Sequence, residues 1–296
     1  MSLSITPECL LCHFGRYLKK AQTLGDDQKT MVFGKELMKM YLAAPEGVSS
    51  PWFSPQVAEL FKKHYGLGDN WYEQEKRDAN SFIMERFDRL QTMVRQAEDP
   101  VLAGLQFSIL GNYLDFAALQ GNVSFEKLDQ MLKEALEMQL DMELYAQLCR
   151  DLAKGRKLLY LTDNAGEIGM DRIFAEEIHR AYPHLEITFC VRGGNTINDA
   201  TREDAKIVGI PFPVIDNGNL VSGTELTLLS QEAKAAMDSA DVILAKGMAN
   251  TETLYGSGYP IYYAFLVKCA RFVRQFQQPL MTPMLVKEHC DKEKVK

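Results

Sequence analysis

The stretch Leu158–Phe174 reads LLYLTDNAGEIGMDRIF. Leu158, Leu159, Tyr160 and Leu161 form a short apolar run, the pattern of a strand covered on both faces. MDRIF and its continuation AEEIHRAY place apolar residues at three- and four-residue steps, the pattern of a helix. Gly166 is enough to turn the chain between them. Asp163, Asn164 and Glu167 share that turn, and their chemistry calls for a separate reason.

Outward from this unit, the second half of the chain repeats its texture. KLLYLT, LEITFCVR, PFPVI, DVILAKG and IYYAFLVKC are apolar runs, and DRIFAEEIHRAY, REDAKIVG and LSQEAKAAMDSA are helix-forming segments between them. Strands alternating with helices indicate the α/β class, a largely parallel sheet with helices on its faces. In the helix after the opening turn, Met170, Ile173, Phe174, Ile178 and Ala181 fall on one side and are expected to face the sheet. The first half is helical in pattern, as in DANSFIMERFDRLQTMVRQAED, with helix stops at Pro51, Gly66, Pro100, Gly121 and Gly155. The expected organisation is a helical bundle over residues 1–150 and an α/β domain over residues 151–296.

The 296 residues are 46% hydrophobic and 25% charged, as in ordinary globular chains. A net charge of −7 gives no basic footprint for nucleic acid or an anionic membrane. An anionic ligand must then be met by a local group of amides, cations or a metal. No apolar run reaches the roughly 18 residues of a membrane span. In MSLSITPECLLCHFGRYLKK the positive charges follow the apolar patch, the wrong order for a signal peptide. The expected location is the cytoplasm, with Cys9, Cys12, Cys149, Cys190, Cys269 and Cys290 mostly reduced.

Open parallel sheets bind ligands at the carboxyl ends of their strands. After LLYLT come Asp163, Asn164, Gly166 and Glu167; after LEITFCV come Arg192, Gly193, Gly194, Asn195, Asn198 and Asp199; after DVILA come Lys246, Gly247 and Asn250. Any one of these loops is explained by helix capping. Three loops with complementary chemistry on one edge point to a site. His13, His64, His179, His184 and His289 stand outside the loops, which argues against a histidine-rich zinc centre. Carboxylate and amide oxygens suit a hard cation such as Mg²⁺ or Mn²⁺. Lys246 adds a point charge for a phosphate, and Gly193 and Gly194 let backbone N–H groups approach it. Metal, lysine and amides together equip a site for phosphoryl transfer.

LTDNAGEIGMD, VRGGNTINDAT and LAKGMANTETL, in this order and spacing, resemble the damage-control phosphatases, first catalogued as a domain of unknown function. GNYLDFA resembles that family's Gly-Asn-x-x-Asp segment, and ECLLC resembles the Cys-x-x-Cys of its microbial branch. The resemblance implies a helical part preceding a Rossmann-like three-layer α/β/α domain. It further implies a metal-dependent phosphatase acting on sugar phosphates or damaged phosphometabolites, with Mn²⁺, Mg²⁺, Co²⁺ or Ni²⁺ as cofactor. By motif, Asp163, Asn164 and Asp199 are the implied metal ligands and Lys246 the implied phosphate-binding lysine. Asn112 and Asp115 are the implied pocket residues. Arg192, Gly193, Asn198, Gly247 and Asn250 complete the candidate phosphate-binding set. Asp163 and Asn164 would thus hold the cation, and either Asp163 or Glu167 would orient the attacking water or take its proton.

Cys9 and Cys12 form C-x-x-C on a helix, and two buried thiols on one helix face is the expectation there. Cys269 is expected in the core. Asp216 and Asn217 read as a turn, and Tyr72, Lys76 and Asn80 as a solvated helix face. A haloacid-dehalogenase-like phosphatase would carry a second Asp two residues after Asp163, where this chain has Ala165. An S-adenosylmethionine-dependent methyltransferase would need glycines more clustered than Gly166 and Gly169. A non-catalytic metal- or phosphate-binding protein is the third alternative.

Overall fold

The computed structural model describes residues 3–68, 72–118 and 125–288; the side chains of residues 113–118, 125–129 and 132 lie outside that description. Among the described residues eight α-helices come first: α1 (Pro7–Gln22), α2 (Asp27–Leu42), α3 (Ser54–Tyr65), α4 (Glu73–Met84), α5 (Phe87–Arg95), α6 (Pro100–Ala118), α7 (Phe125–Leu136) and α8 (Met142–Lys154). Strands and helices then alternate: β1 (Lys157–Leu161), α9 (Glu167–Ala181), β2 (Glu186–Val191), α10 (Arg202–Ile207), β3 (Val214–Asp216), α11 (Gln231–Ser239), β4 (Val242–Lys246), α12 (Gly247–Leu254), β5 (Ile261–Leu266), α13 (Ala270–Phe276) and β6 (Pro283–Lys287).

The strands form one sheet in the order β3-β2-β1-β4-β5-β6. The first five are parallel and β6 returns antiparallel along β5. Each apolar run of the second half became one of the parallel strands. PMLVK gave no such signal, because β6 lies at the edge and buries only Leu285 fully.

Strand residues alternate between two cores. Leu158, Tyr160 and Leu244 pack with Leu105 of α6, Leu152 of α8 and Phe174 of α9. Leu159, Leu161, Ile243 and Phe265 pack on the other face with Met237 of α11, Leu254 of α12 and Phe272 of α13. The result is the expected three-layer α/β/α fold. Each fully buried large apolar side chain stabilises it by roughly 1.5–3 kcal/mol.

α9 differs from its expected one-sided role. Phe174 and Ile178 face the sheet, whereas Met170 and Ile173 pack with Ile83, Phe87 and Leu110 of α4, α5 and α6, and Ala181 is exposed. α9 is thus held between the sheet and the N-terminal helices. Gly104 and Gly111 let α6 lie close against it, since a Cβ at Gly104 would stand 3.0 Å from Phe174 and one at Gly111 3.2 Å from Glu167. A separate aromatic core, including Tyr17, Phe33 and Phe61, joins α1, α2 and α3.

Gly66 ends α3 in the left-handed conformation at φ 68°, and Gly155 ends α8. Pro100 opens α6 instead of closing a helix. Gly121, His289 and Cys290 lie outside the described residues. Among the described residues no helix is long and apolar enough to cross a membrane. From β1 the sheet grows outward through β2 and β3 on one side and through β4 and β5 on the other. The crevice of such a sheet opens at the carboxyl ends of the two strands flanking that reversal, here β1 and β4.

Candidate active site

The loops leaving β1 and β2 are zipped together by their backbones. Ala165 N–H donates to the Asn198 carbonyl at 2.9 Å, and Ala200 N–H donates to the Asp163 carbonyl at 2.8 Å, around a bridge between Asn164 and Asp199. Backbone pairing therefore sets Asp163, Asn164 and Asp199 side by side. From outside, Asn80 of α4 accepts from Gly166 N–H at 2.7 Å and donates to Asp204 Oδ1 at 2.8 Å. Gly166 sits at φ 77°, and a Cβ there would meet that of Ala79 at 2.9 Å.

The side chains form one buried network. Asn112 Nδ2 donates to Asp163 Oδ2 and Glu167 Oε2, both at 2.9 Å. Asn164 Nδ2 donates to the same two oxygens at 2.8 and 3.1 Å. Lys246 Nζ donates to Glu167 Oε1 at 2.7 Å, Asp171 Oδ1 at 2.9 Å and the Ser108 carbonyl at 2.8 Å. Arg192 Nε donates to Asp199 Oδ2 at 2.5 Å, and its Nη2 stands 3.9 Å from Asp163 Oδ1. A Cβ at Gly247 would fall 1.9 Å from Asp163 Oδ2, so only glycine lets the chain pass this carboxylate.

Asp163, Glu167, Asp171 and Asp199 are all buried here, against two buried cations, Lys246 and Arg192. Burial first, then Glu167 and Asp199, pushes the Asp163 carboxyl well above the ordinary range, with Arg192 and Lys268 opposing. Asp171 is pushed up to about 6 by burial, moderated chiefly by Lys246. Burial alone would lower the Lys246 ammonium, but Asp171 and Glu167 outweigh it and hold it above its ordinary value. With all four carboxylates ionised, their excess over Lys246 and Arg192 is two negative charges, the size one divalent cation neutralises.

The donors also fit a hard cation. Asp163 and Asp199 supply carboxylate oxygens, Asn164 a carboxamide, and the buried Oδ1 of Asn112 has no hydrogen-bond partner among the described residues. No group of three or more His, Cys, Asp or Glu side chains among the described residues forms a metal cage by itself. Two carboxylates with an amide leave room for the several waters that Mg²⁺ or Mn²⁺ usually keeps.

Asn112, Asp163, Asn164, Asn198 and Asp199 line a cavity of roughly 550 Å³. Glu167, Arg192, Gly193, Lys246, Gly247 and Asn250 are not among the residues lining it. Lys246 is fully buried, and its three protons are taken by Glu167, Asp171 and Ser108. Asn250 Nδ2 donates to the Thr162 and Lys246 carbonyls, both at 2.8 Å, tying the ends of β1 and β4. Gly193 N–H donates to Asn217 Oδ1 at 2.8 Å; Asp216, expected in a turn, instead ends β3, and Asn217 just after it braces the second loop. The Asp115 side chain lies outside the described residues.

Other expectations change. Lys76 and Asn80 are buried on the site's flank; Lys76 pairs with Asp204 at 2.7 Å. Cys9 is buried, but Cys12 is exposed, and both line the cavity together with the half-buried Cys269. His13 lines it too; its Nε2 meets Ser50 Oγ at 2.8 Å, and burial, then Arg16, push the ring down to about 3. Sequence reasoning missed Asp171, Arg16 and Lys268. Asp171 was signalled by its four-residue spacing from Glu167 inside an apolar helix. Lys268 follows β5 much as Asp163 follows β1.

Fold and site together define an α/β protein with an oxygen-rich, negatively charged centre where the order of its parallel sheet reverses. The chain belongs to the family described as the damage-control phosphatase ARMT1-like domain, whose model matches residues 5–282. It is 31% identical over 280 residues to a damage-control phosphatase of Archaeoglobus fulgidus, covering 92% of this chain and 95% of that one. An uncharacterized protein of Methanocaldococcus jannaschii is 31% identical over 283 residues, covering 90% of each. The crystal structure of a DUF89 family protein from Pyrococcus horikoshii superposes with a TM-score of 0.83 at 26% identity, covering 97% of this chain and 99% of that one.

Proposed function

We propose that this chain is a phosphatase that hydrolyses small phosphomonoesters with the help of a divalent cation held by Asp163, Asn164 and Asp199. The observation carrying this reading is the backbone zipper that puts those three residues on the floor of one cavity, with negative charge in excess. When bound, Mn²⁺, Mg²⁺, Co²⁺ or Ni²⁺ would supply Lewis-acid charge to the phosphoryl oxygens. Asn112, Asn198 and Lys268 line the same cavity and are suited to bind and orient the phosphate. Residues 151–296 would form the catalytic unit and residues 1–150 the helical part that contributes Asn112 and the outer wall.

For the proton-handling residue the geometry favours Asp163 over Glu167. Both Glu167 oxygens are engaged by Lys246, Asn112 and Asn164, and its side chain is buried. Asp163 meets the cavity, and among the described residues no hydrogen bond reaches its Oδ1, with Arg192 Nη2 standing 3.9 Å away. Glu167 then serves as the brace that fixes Asn112, Asn164 and Lys246. Nothing in the site favours a methyltransferase. Gly166 and Gly169 pack against Ala79 and Ile83 of α4, so these glycines serve helix packing.

The test is phosphate release from a panel of sugar phosphates and other phosphomonoesters, with added Mn²⁺ and with chelator. The expected result is turnover that chelator abolishes and that Asp163→Ala lowers on the order of 10²–10³-fold or more, with thermal unfolding little changed. An active Asp163→Ala enzyme, or turnover indifferent to chelator, would refute the assignment.

A further inference from the structure

We propose that the α1 wall of the cavity selects phosphomonoesters carrying a second anionic group, a carboxylate or a second phosphoryl group, with Arg16 as its main contact. This inference rests on the phosphatase reading of the floor.

α1 enters the cavity with Cys12, His13, Arg16 and Tyr17. The Arg16 guanidinium lies 4.7 Å from the centre of the Tyr17 ring, and Nη2 donates to Tyr17 Oη at 2.7 Å. Its side chain is exposed, and no carboxylate stands within ion-pair distance of it among the described residues. Of the neighbouring cations, the two arginines face carboxylates and Lys268 faces a neutral carbonyl on the floor side. Arg271 pairs with Glu252 at 3.4 Å, Arg274 engages Glu8, and Lys268 donates to the Asn112 carbonyl. Arg16 therefore presents a positively charged fork, braced by an aromatic ring, with most of its donors unused among the described residues.

A cavity of roughly 550 Å³ holds a whole small metabolite, not a phosphate alone. With the phosphoryl group at Asp163 and Asp199, the rest of the molecule lies along the other walls, of which α1 is one. A hydroxyl there gains little over water. A carboxylate or phosphate gains charge-assisted, bidentate hydrogen bonds in the geometry a guanidinium offers.

The experiment compares matched pairs: glycerol 3-phosphate with 3-phosphoglycerate, and fructose 6-phosphate with fructose 1,6-bisphosphate. Each is read with Mn²⁺ by kcat/KM and, independently of turnover, by the ligand concentration that half-saturates a thermal shift. The wild type is expected to favour the doubly anionic member of at least one pair by about tenfold or more. Arg16→Ala should bring that ratio to within about twofold, and Arg16→Lys should keep part of it. Which pair shows the preference distinguishes a carboxylate from a second phosphate. No preference in the wild type by either readout, or a preference that survives Arg16→Ala, overturns the proposal. Binding preference without turnover of any substrate overturns the phosphatase reading and supports this one; turnover without preference does the reverse. Should Arg16→Ala fail to fold, the wild-type pairs and Arg16→Lys decide.

Discussion

On the sheet side of the cavity, Lys246 is fully buried and gives all three protons to named acceptors, two of them carboxylates. On the α1 side, Arg16 is exposed and among the described residues makes one side-chain hydrogen bond, to the residue next to it. The sheet side is over-determined: Asp163, Asn164 and Glu167 each share partners, and two loops are joined by backbone. The α1 side carries groups held by single polar contacts among the described residues, Arg16 with Tyr17 and His13 with Ser50. A site built this way keeps its reaction centre rigid while its outer wall can change with little cost to folding. On the proposed reading, reaction chemistry belongs to the first region and choice of substrate to the second.

The largest expected break of this contrast is Lys246→Ala. It leaves Glu167 and Asp171 buried without their cation, at a cost of about 3–5 kcal/mol, read as a lower denaturation midpoint. A drop under about 1 kcal/mol would mean the network is not the keystone described. Asn80→Ala removes the acceptor of Gly166 N–H and the donor to Asp204. A loss of about 1–3 kcal/mol is expected, with slower turnover because the first loop loosens; unchanged stability and rate would return α4 to a passive role. Arg16→Ala should cost less than about 0.5 kcal/mol of stability, and a loss comparable to that of Lys246→Ala would erase the contrast.

The same contrast explains what the sequence disclosed. The rule that ligands gather at strand ends singled out Asp163, Asn164, Asn198 and Asp199, which line the cavity because they leave the sheet at its carboxyl rim. Applied to Lys246 it located the right loop and the wrong direction. Lys246 is the last residue of β4, and period-two alternation puts it on the same face as Val242 and Leu244, under α6 and α9. Arg192, Gly193, Gly247 and Asn250 likewise brace the floor from below. Parity along the strand was legible for Lys246 and would have made the correction. The helices were harder to read. Asn80 and Lys76 look like a solvated face because a polar stripe that docks on a polar loop has the same periodicity as one that meets water. Arg16 and Cys12 reach the cavity through the packing of α1 on α2 and α13, tertiary contacts that no local pattern encodes.

The most direct measurement is a calorimetric titration of Mn²⁺ into the wild type and into Asp199→Asn. One saturable site is expected in the wild type, with affinity weakened at least about tenfold in the variant; its single carboxamide oxygen can still accept from Arg192 Nε, where Asp199 Oδ2 accepts now, while its Nδ2 donates to the Ser222 hydroxyl that now donates to Asp199 Oδ1. Equal affinity in the two proteins, or no binding to the wild type, would contradict a cation held between the loops of β1 and β2.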